Sequence, residues 1–246
     1  MTGNGRIPRH FDKQSTLGDW LSNGPFTLCL SAGFFGFYAH AGFLDGLIQC
    51  GLSPKKVSGC SAGALVAAVW ASGQEMSEIK DKLICLKRQE FWDPGLGFGL
   101  LRGLLFEEKL TEFLKVATFE ECRVPLTISA FDLLKLRTEV LCAGSLVQAV
   151  RASCSLPGLF HPVSVNGRWC IDGGVRDFAG FAGIAPEERV LYHHLGMVES
   201  ARRPNVLFAG IPPRGNTVSL KLDGLPRVTP FKLNQGVHAY EEAQKR

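Results

Sequence analysis

Two short stretches of the chain hold residue types that can do nucleophilic chemistry. The first is Gly59-Cys60-Ser61-Ala62-Gly63, which fits G-x-S-x-G, the pattern of a serine on a sharp strand-to-helix turn. A serine at such a tip has a strained backbone, and the residues two positions either side must lack side chains. The following helix aims its free N–H groups and positive dipole end at the reacting oxygen. A plain Gly-rich turn between buried elements also fits these letters, so the flanks matter. Here a short apolar run precedes the motif and Ala64-Leu-Val-Ala-Ala-Val-Trp70 follows it. The second stretch is Asp172-Gly173-Gly174. A carboxylate ending a strand can be held rigidly while two glycines turn the backbone away and leave room for a partner. On the local pattern alone an ordinary Asp-Gly turn explains the same residues. A calcium loop is excluded, because acidic residues are missing at its third and twelfth positions.

Both stretches need elements to place them. Pro25 introduces Phe26–Leu30, a run suited to a strand buried on both faces. A small-residue loop, Ser31-Ala-Gly-Phe-Phe-Gly36, follows it. Tyr38, Ala41, Leu44 and Ile48 then predict a helix from Phe37 to Gln49, with Gly51 as its stop. A second strand, Lys56 to Gly59, leads into the serine motif. Strand–helix–strand–helix order is the mark of a parallel sheet. The expected fold is therefore one α/β domain with a mainly parallel central sheet flanked by helices. Gly33 and Gly36 partly match a dinucleotide-binding loop, but Ser31 replaces its first glycine and no acidic residue closes a strand about 20 positions on. Exposed N–H groups at a helix N-terminus suit an oxyanion better.

Further along, Met76, Ile79, Leu83 and Leu86 form the apolar stripe of a helix over 75–88. Residues 91–106 are too Gly-rich for a regular element and very apolar for a loop. They read equally as a mobile lid meeting lipid or as a loop packed over the core. A helix is expected over 107–116 and strands over 125–131 and 138–141. Ser145 and Gln148 fit a capping box, starting a helix that Pro157-Gly158 ends. Val163–Ile171 reads as a hairpin turning at Asn166-Gly167. Later strands are expected at 190–192, 205–208 and 218–220, and a terminal helix with a solvated charged end over 237–246. Residues 1–24 read as a polar surface leader before a domain spanning 25–246.

Composition narrows the function classes. A net charge of +4 tolerates an anionic membrane surface but is too weak to argue nucleic-acid binding. No apolar run reaches a spanning length, and residues 1–10 lack the apolar core of a secretory signal. The eight cysteines form no C-x-x-C pair and read as buried thiols of a reducing compartment, which makes the cytoplasm the expected location.

Four stretches together resemble the patatin-like phospholipase family: Ser31–Gly36, Gly59–Gly63, Arg151-Ala-Ser-Cys-Ser-Leu-Pro-Gly-Leu-Phe160 and Asp172–Gly174. Order and spacing agree over about residues 25–212. The resemblance implies Ser61 as nucleophile and Asp172 as its partner in a dyad without histidine. It also implies an oxyanion hole of backbone N–H groups around Gly33 and Phe34, with Ala62 added. Gly36, Gly59, Gly63, Gly173 and Gly174 would support the motifs. The implied substrate is a lipid or fatty-acyl ester, met through transient contact with a membrane surface, with no metal and no cofactor. The chain departs from the family loop, usually Gly-Gly-Gly-x-Arg/Lys-Gly, at Ser31, Ala32 and Phe35. Backbone donors survive these changes, but acyl-chain or head-group preference can shift.

Two other readings compete. Ser61, Asp172 and then His193, His194 or His238 follow the chain order of an ordinary α/β-hydrolase triad, although that fold places more sheet before its serine. Alternatively the altered loop marks a non-catalytic lipid- or acyl-binding protein with the same pocket.

Overall fold

The structure is a computed structural model that describes residues 16–195 and 214–246. The expected strand over 205–208 lies outside the described residues. A short helix, α1 (Leu17–Ser22), corrects the reading of 1–24 as an unpatterned leader. Thr16 and Asp19 cap it reciprocally and Leu21 is buried. Next come β1 (Thr27–Leu30), α2 (Phe37–Gln49), β2 (Lys56–Cys60) and α3 (Ala62–Ala71). These four follow the predicted boundaries to within a residue or two. Every residue of β1 is buried, as an apolar strand covered on both faces requires.

The next elements are α4 (Met76–Cys85), β3 (Gly99–Leu101), α5 (Leu104–Phe113), β4 (Leu126–Asp132), β5 (Arg137–Leu141) and α6 (Leu146–Ser153). Ser145 caps α6 through the Gln148 N–H, but the Gln148 side chain does not reach back. It donates instead to Glu107 on α5, so only half of the expected capping box forms. The chain continues through β6 (Gly158–Phe160), β7 (Val163–Val165), β8 (Arg168–Asp172), β9 (Val190–His194), β10 (Thr217–Lys221) and α7 (Gln235–Gln244). Asn166 and Gly167 both have positive φ, the two-residue turn expected between β7 and β8.

The main sheet runs β10-β9-β1-β2-β4-β8-β7, with β5 also paired to β4, while β3 and β6 form a separate two-stranded sheet. The five strands β10, β9, β1, β2 and β4 are mutually parallel, and β5, β8 and β7 add antiparallel pairs. The edge of β4 is shared in a way that builds the site. β2 pairs along it as far as Cys60 opposite Ser129. β8, running the other way, takes over with Asp172 opposite Ala130. Because β5 pairs with residues 128–132 from the opposite side, β2 and β8 meet end to end on one edge.

The terminal helix is packed more deeply than a solvated end suggests. Gly42 of α2 lets the α7 backbone at Tyr240 come so close that no Cβ would fit. Tyr240 Oη and Gln244 Nε2 both donate to the buried Asp45 carboxylate, at 2.7 and 2.6 Å. All eight cysteines are free, but Cys50, Cys85 and Cys142 are exposed, which corrects the expectation that most are buried.

Candidate active site

Ser61 stands between β2 and α3 with φ 52° and ψ −119°, a conformation L-residues avoid. The turn closes because its flanks lack side chains. A Cβ on Gly63 would strike the Leu30 carbonyl, and one on Gly59 would strike the backbone of Gly63 and Ala64. Neither glycine has positive φ. They are needed for space, and the strain itself sits on Ser61. The turn is also tied from outside. The Ser61 N–H donates to Ser153 Oγ at 2.9 Å, and Ser153 Oγ donates to the Ser129 carbonyl at 2.7 Å. Cys154 Sγ donates to the Ser61 carbonyl. Ser153 belongs to the 151–160 stretch that carries the family resemblance, but sequence alone assigns it no role.

Asp172 ends β8 and is 4% exposed. Its Oδ2 accepts from Ser61 Oγ at 2.7 Å, and its Oδ1 accepts from the Gly174 N–H at 2.8 Å. Burial pushes its carboxyl up to about 6, against the opposing pull of these two hydrogen bonds. A Cβ on Gly173 would meet the Ser129 carbonyl, so the strand end can sit this close to β4 only with glycine next. The neighbouring Cys60 thiol is held protonated by burial and by the Asp172 charge, and is no rival nucleophile.

The loop before α2 folds as a tight turn in which Gly36 N–H donates to the Gly33 carbonyl at 2.8 Å. Phe35, at the place of the family's basic residue, has φ 57°. Its ring contacts those of Phe34, Phe37 and Phe91. Among the described residues, the N–H groups of Gly33, Phe34 and Ala62 meet no protein acceptor. All three residues line a cavity of about 520 Å³ that also contains Ser61 and Asp172. Its walls are largely apolar, drawn from Leu65, Leu83, Phe106, Leu110 and Phe113 among others, and no histidine among the described residues lines it.

The histidines of the triad reading have other surroundings. His193 is fully buried, with its Nδ1 2.9 Å from Nδ1 of His40, while His194 Nδ1 lies 3.0 Å from Tyr192 Oη. His238 is exposed on α7. Asp172 accepts hydrogen bonds from Ser61, Gly174 and the Cys60 thiol, and no histidine among the described residues donates to it.

The profile of the patatin-like phospholipases matches residues 28–183, more than half of the chain. The chain belongs to the patatin-like phospholipase family. An NTE family protein of Mycobacterium bovis, described as uncharacterized, is 31% identical over 161 residues, 64% of this chain and 45% of that protein. Lysophospholipase NTE1 of Cryptococcus neoformans is 26% identical over 179 residues, 70% of this chain but 11% of that protein. The chain thus spans less than half the length of these patatin-like relatives. Among solved structures, VipD from Legionella pneumophila superposes with a TM-score of 0.55 at 17% identity, over 71% of this chain and 50% of that one. That likeness supports the patatin-like α/β fold alone. No helix among the described residues is long and apolar enough to cross a membrane.

Proposed function

We propose that this chain is a serine acyl hydrolase that cleaves carboxylic esters of lipids through an acyl-enzyme, with Ser61 as nucleophile and Asp172 as base. The observation that carries the reading is the 2.7 Å hydrogen bond from Ser61 Oγ to Asp172 Oδ2 beside an apolar cavity. Ser61 Oγ attacks the ester carbonyl carbon and its proton passes to Asp172 Oδ2. The negative charge that develops on the carbonyl oxygen is met by the N–H groups of Gly33, Phe34 and Ala62. Asp172 then returns the proton to the departing alcohol, and later takes one from the water that attacks the acyl-enzyme. No metal and no cofactor enters this sequence.

An aspartate is a weak base for a hydroxyl. Its raised pKa narrows the gap, and preorganised donors supply much of the rest, each worth about 3–4 kcal/mol in related acyl transfer. The apolar walls suit an acyl chain, and Phe34 and Phe35 extend that surface where the family carries a basic residue. We place the start of the catalytic domain at α1, whose Leu21 joins the core, rather than at residue 25, and the protein in the cytoplasm.

A fluorophosphonate probe tests this on wild type, Ser61→Ala and Asp172→Asn, alongside hydrolysis of a short-chain p-nitrophenyl ester. The expected result is labelling lost in Ser61→Ala and hydrolysis collapsed in Asp172→Asn. A folded wild type that stays unlabelled even with detergent or vesicles points to the acyl-binding reading instead.

A further inference from the structure

The apolar stretch 91–106 is neither a loose lid nor a loop laid over the core. Its base is closed by hydrogen bonds. The Asp93 carboxylate accepts from the N–H groups of Gly103, Leu104 and Leu105, at 2.9, 2.7 and 3.3 Å. The Asp93 carbonyl accepts from Arg102 N–H, Gly95 N–H donates to the Leu100 carbonyl, and Pro94 bridges to Leu101. One flank is braced as well, because β3 pairs with β6 and His161 Nε2 donates to the Gly99 carbonyl at 3.1 Å. Gly97 has no side chain where the His161 ring lies against it. The result is a braced finger, with Leu96 and Phe98 at its tip 103% and 90% exposed.

The finger stands on the cavity wall. Leu101 is fully buried and lines the cavity with Phe160, its partner across the β3–β6 pair, while Leu100 points outward and is half exposed. Phe34 and Leu156, each 39% exposed, carry the apolar surface around the opening. Cations border it. Arg102 is exposed and lies against Gly95, Arg227 is exposed where it lines the cavity, and Arg88 stacks on Trp92 and the exposed ring of Phe231.

We infer that Leu96 and Phe98 enter the acyl region of an anionic bilayer, with Arg88, Arg102 and Arg227 meeting its phosphates, so that the cavity opens onto the lipid. The inference rests on the lipid reading of the cavity for its occupant. A projecting tip of two side chains cannot supply the roughly 800 Å² per partner of a stable protein interface. Apolar side chains beside basic ones are what a lipid surface takes up from an interfacial element. The brace at Asp93 and His161 keeps the tip presented, so no rearrangement precedes contact.

Vesicles of equal parts phosphatidylcholine and phosphatidylserine test this by co-sedimentation, using wild type, Ser61→Ala and the double variant Leu96→Ser/Phe98→Ser. Ser61→Ala should bind as wild type does, which separates docking from catalysis. The double variant should lose at least tenfold in vesicle affinity and in hydrolysis of an ester carried in the vesicle. Its rate on a soluble short-chain ester should stay unchanged, since neither side chain lines the cavity. Arg102→Glu should weaken binding to these vesicles far more than to phosphatidylcholine alone. Equal vesicle binding by wild type and the double variant overturns the inference, as does a wild type that does not bind. So does a wild-type dimer that the double variant dissolves, which would assign the finger to a second copy of the chain. If fluorophosphonate labelling fails while vesicle binding follows the finger, the hydrolase reading falls and the docking surface stands.

Discussion

The backbone N–H of Ser61 is donated to the hydroxyl of Ser153, 92 residues further along the chain. That bond uses the serine's own backbone donor, so the backbone donors left for an oxyanion in the proposed reaction are those of Ala62 and the loop at Gly33 and Phe34. It also helps hold the strained φ of Ser61, since Ser153 is anchored in turn on Ser129 of β4. Ser153 is thus a positioning residue between the helix α6 and the serine turn.

Removing that anchor should cost rate more than binding. In Ser153→Ala we expect kcat to fall by about 10–100-fold, the penalty of a nucleophile displaced by a fraction of an ångström to 1 Å. KM should change less than threefold, and Ser153→Thr should recover part of the loss. Steady-state kinetics on a soluble ester reads this out. Equal losses in Ser153→Ala and Ser153→Thr, with thermal stability falling in parallel, would mean that Ser153 only packs.

Asp172 sets a pH dependence in two quantities at once. As the proposed base it must be ionised, so kcat/KM should rise with pH through an ionisation near 6 and level off above it. Stability moves the other way. The folded state holds this proton more tightly than the unfolded state, where the group titrates near its ordinary 3.8. Its contribution is complete below pH 3.8 and is lost as pH rises through 6, an amount of about 3 kcal/mol. Asp172→Asn should therefore gain stability relative to wild type between pH 4 and pH 8, as measured by urea unfolding, while remaining inactive at both. A wild-type pH–rate profile without an ascending limb between 5 and 7 would remove Asp172 as the base.

A second titration lies beneath the loop. His40 Nε2 donates to the Ser31 carbonyl at 2.8 Å, so its bare Nδ1 accepts from Nδ1–H of His193, whose Nε2 finds no partner among the described residues. Burial lowers His40 to about 3 and His193 well below its ordinary value. Both contribute stability that is present above about 6.5 and is lost as pH falls towards their folded values. With two groups against Asp172 alone, unfolding stability should decline from pH 7 to pH 5. His40→Gln should flatten that slope even if it lowers stability throughout. An unchanged slope in the variant would place the acid sensitivity elsewhere.

What could be read in advance follows the range of the forces involved. Phe37–Gln49 and the turn at Asn166-Gly167 are specified by periodicity and turn chemistry within a few residues, and both are found where expected. The proximity of Ser61 and Asp172 came from the family motifs. The register at Ser129 and Ala130 that creates it has no local signal. Ser153, the His40–His193 contact and the redirected Gln148 depend on partners far along the chain, which spacing does not reveal. Thr16 and Asp19 carry a local sign of α1 within residues that are otherwise polar and Gly-rich. Residues 91–106 leave a lid and a packed loop equally open in sequence, because the contacts that brace them at Gly97 and Gly103 come from His161 and Phe160, far along the chain.

Close packing at Gly63 contrasts with open space at Gly215. Gly63→Ala drives a Cβ into the Leu30 carbonyl, so the variant should lose several kcal/mol of stability, about the cost of an overpacked core site or more. It should also lose fluorophosphonate labelling. Gly215→Ala meets nothing within 4 Å and has no positive φ, so it should match wild type within about 0.5 kcal/mol. Thermal melts of the two side by side decide whether close packing, rather than glycine content, shapes the turn.

The end-to-end meeting of β2 and β8 on β4 has a consequence in time as well as in space. The serine turn is built from residues 59–63 and tied by Ser153, 92 residues on, and Asp172 arrives later still, 111 residues on, carried by a hairpin that reaches the sheet through three register pairs with β4. Non-local pairings of this kind form late and open early. The Ser61–Asp172 pair is therefore complete only when the last antiparallel strands have docked, and a partial opening at that edge would abolish the proposed hydrolysis while the parallel strands remain folded.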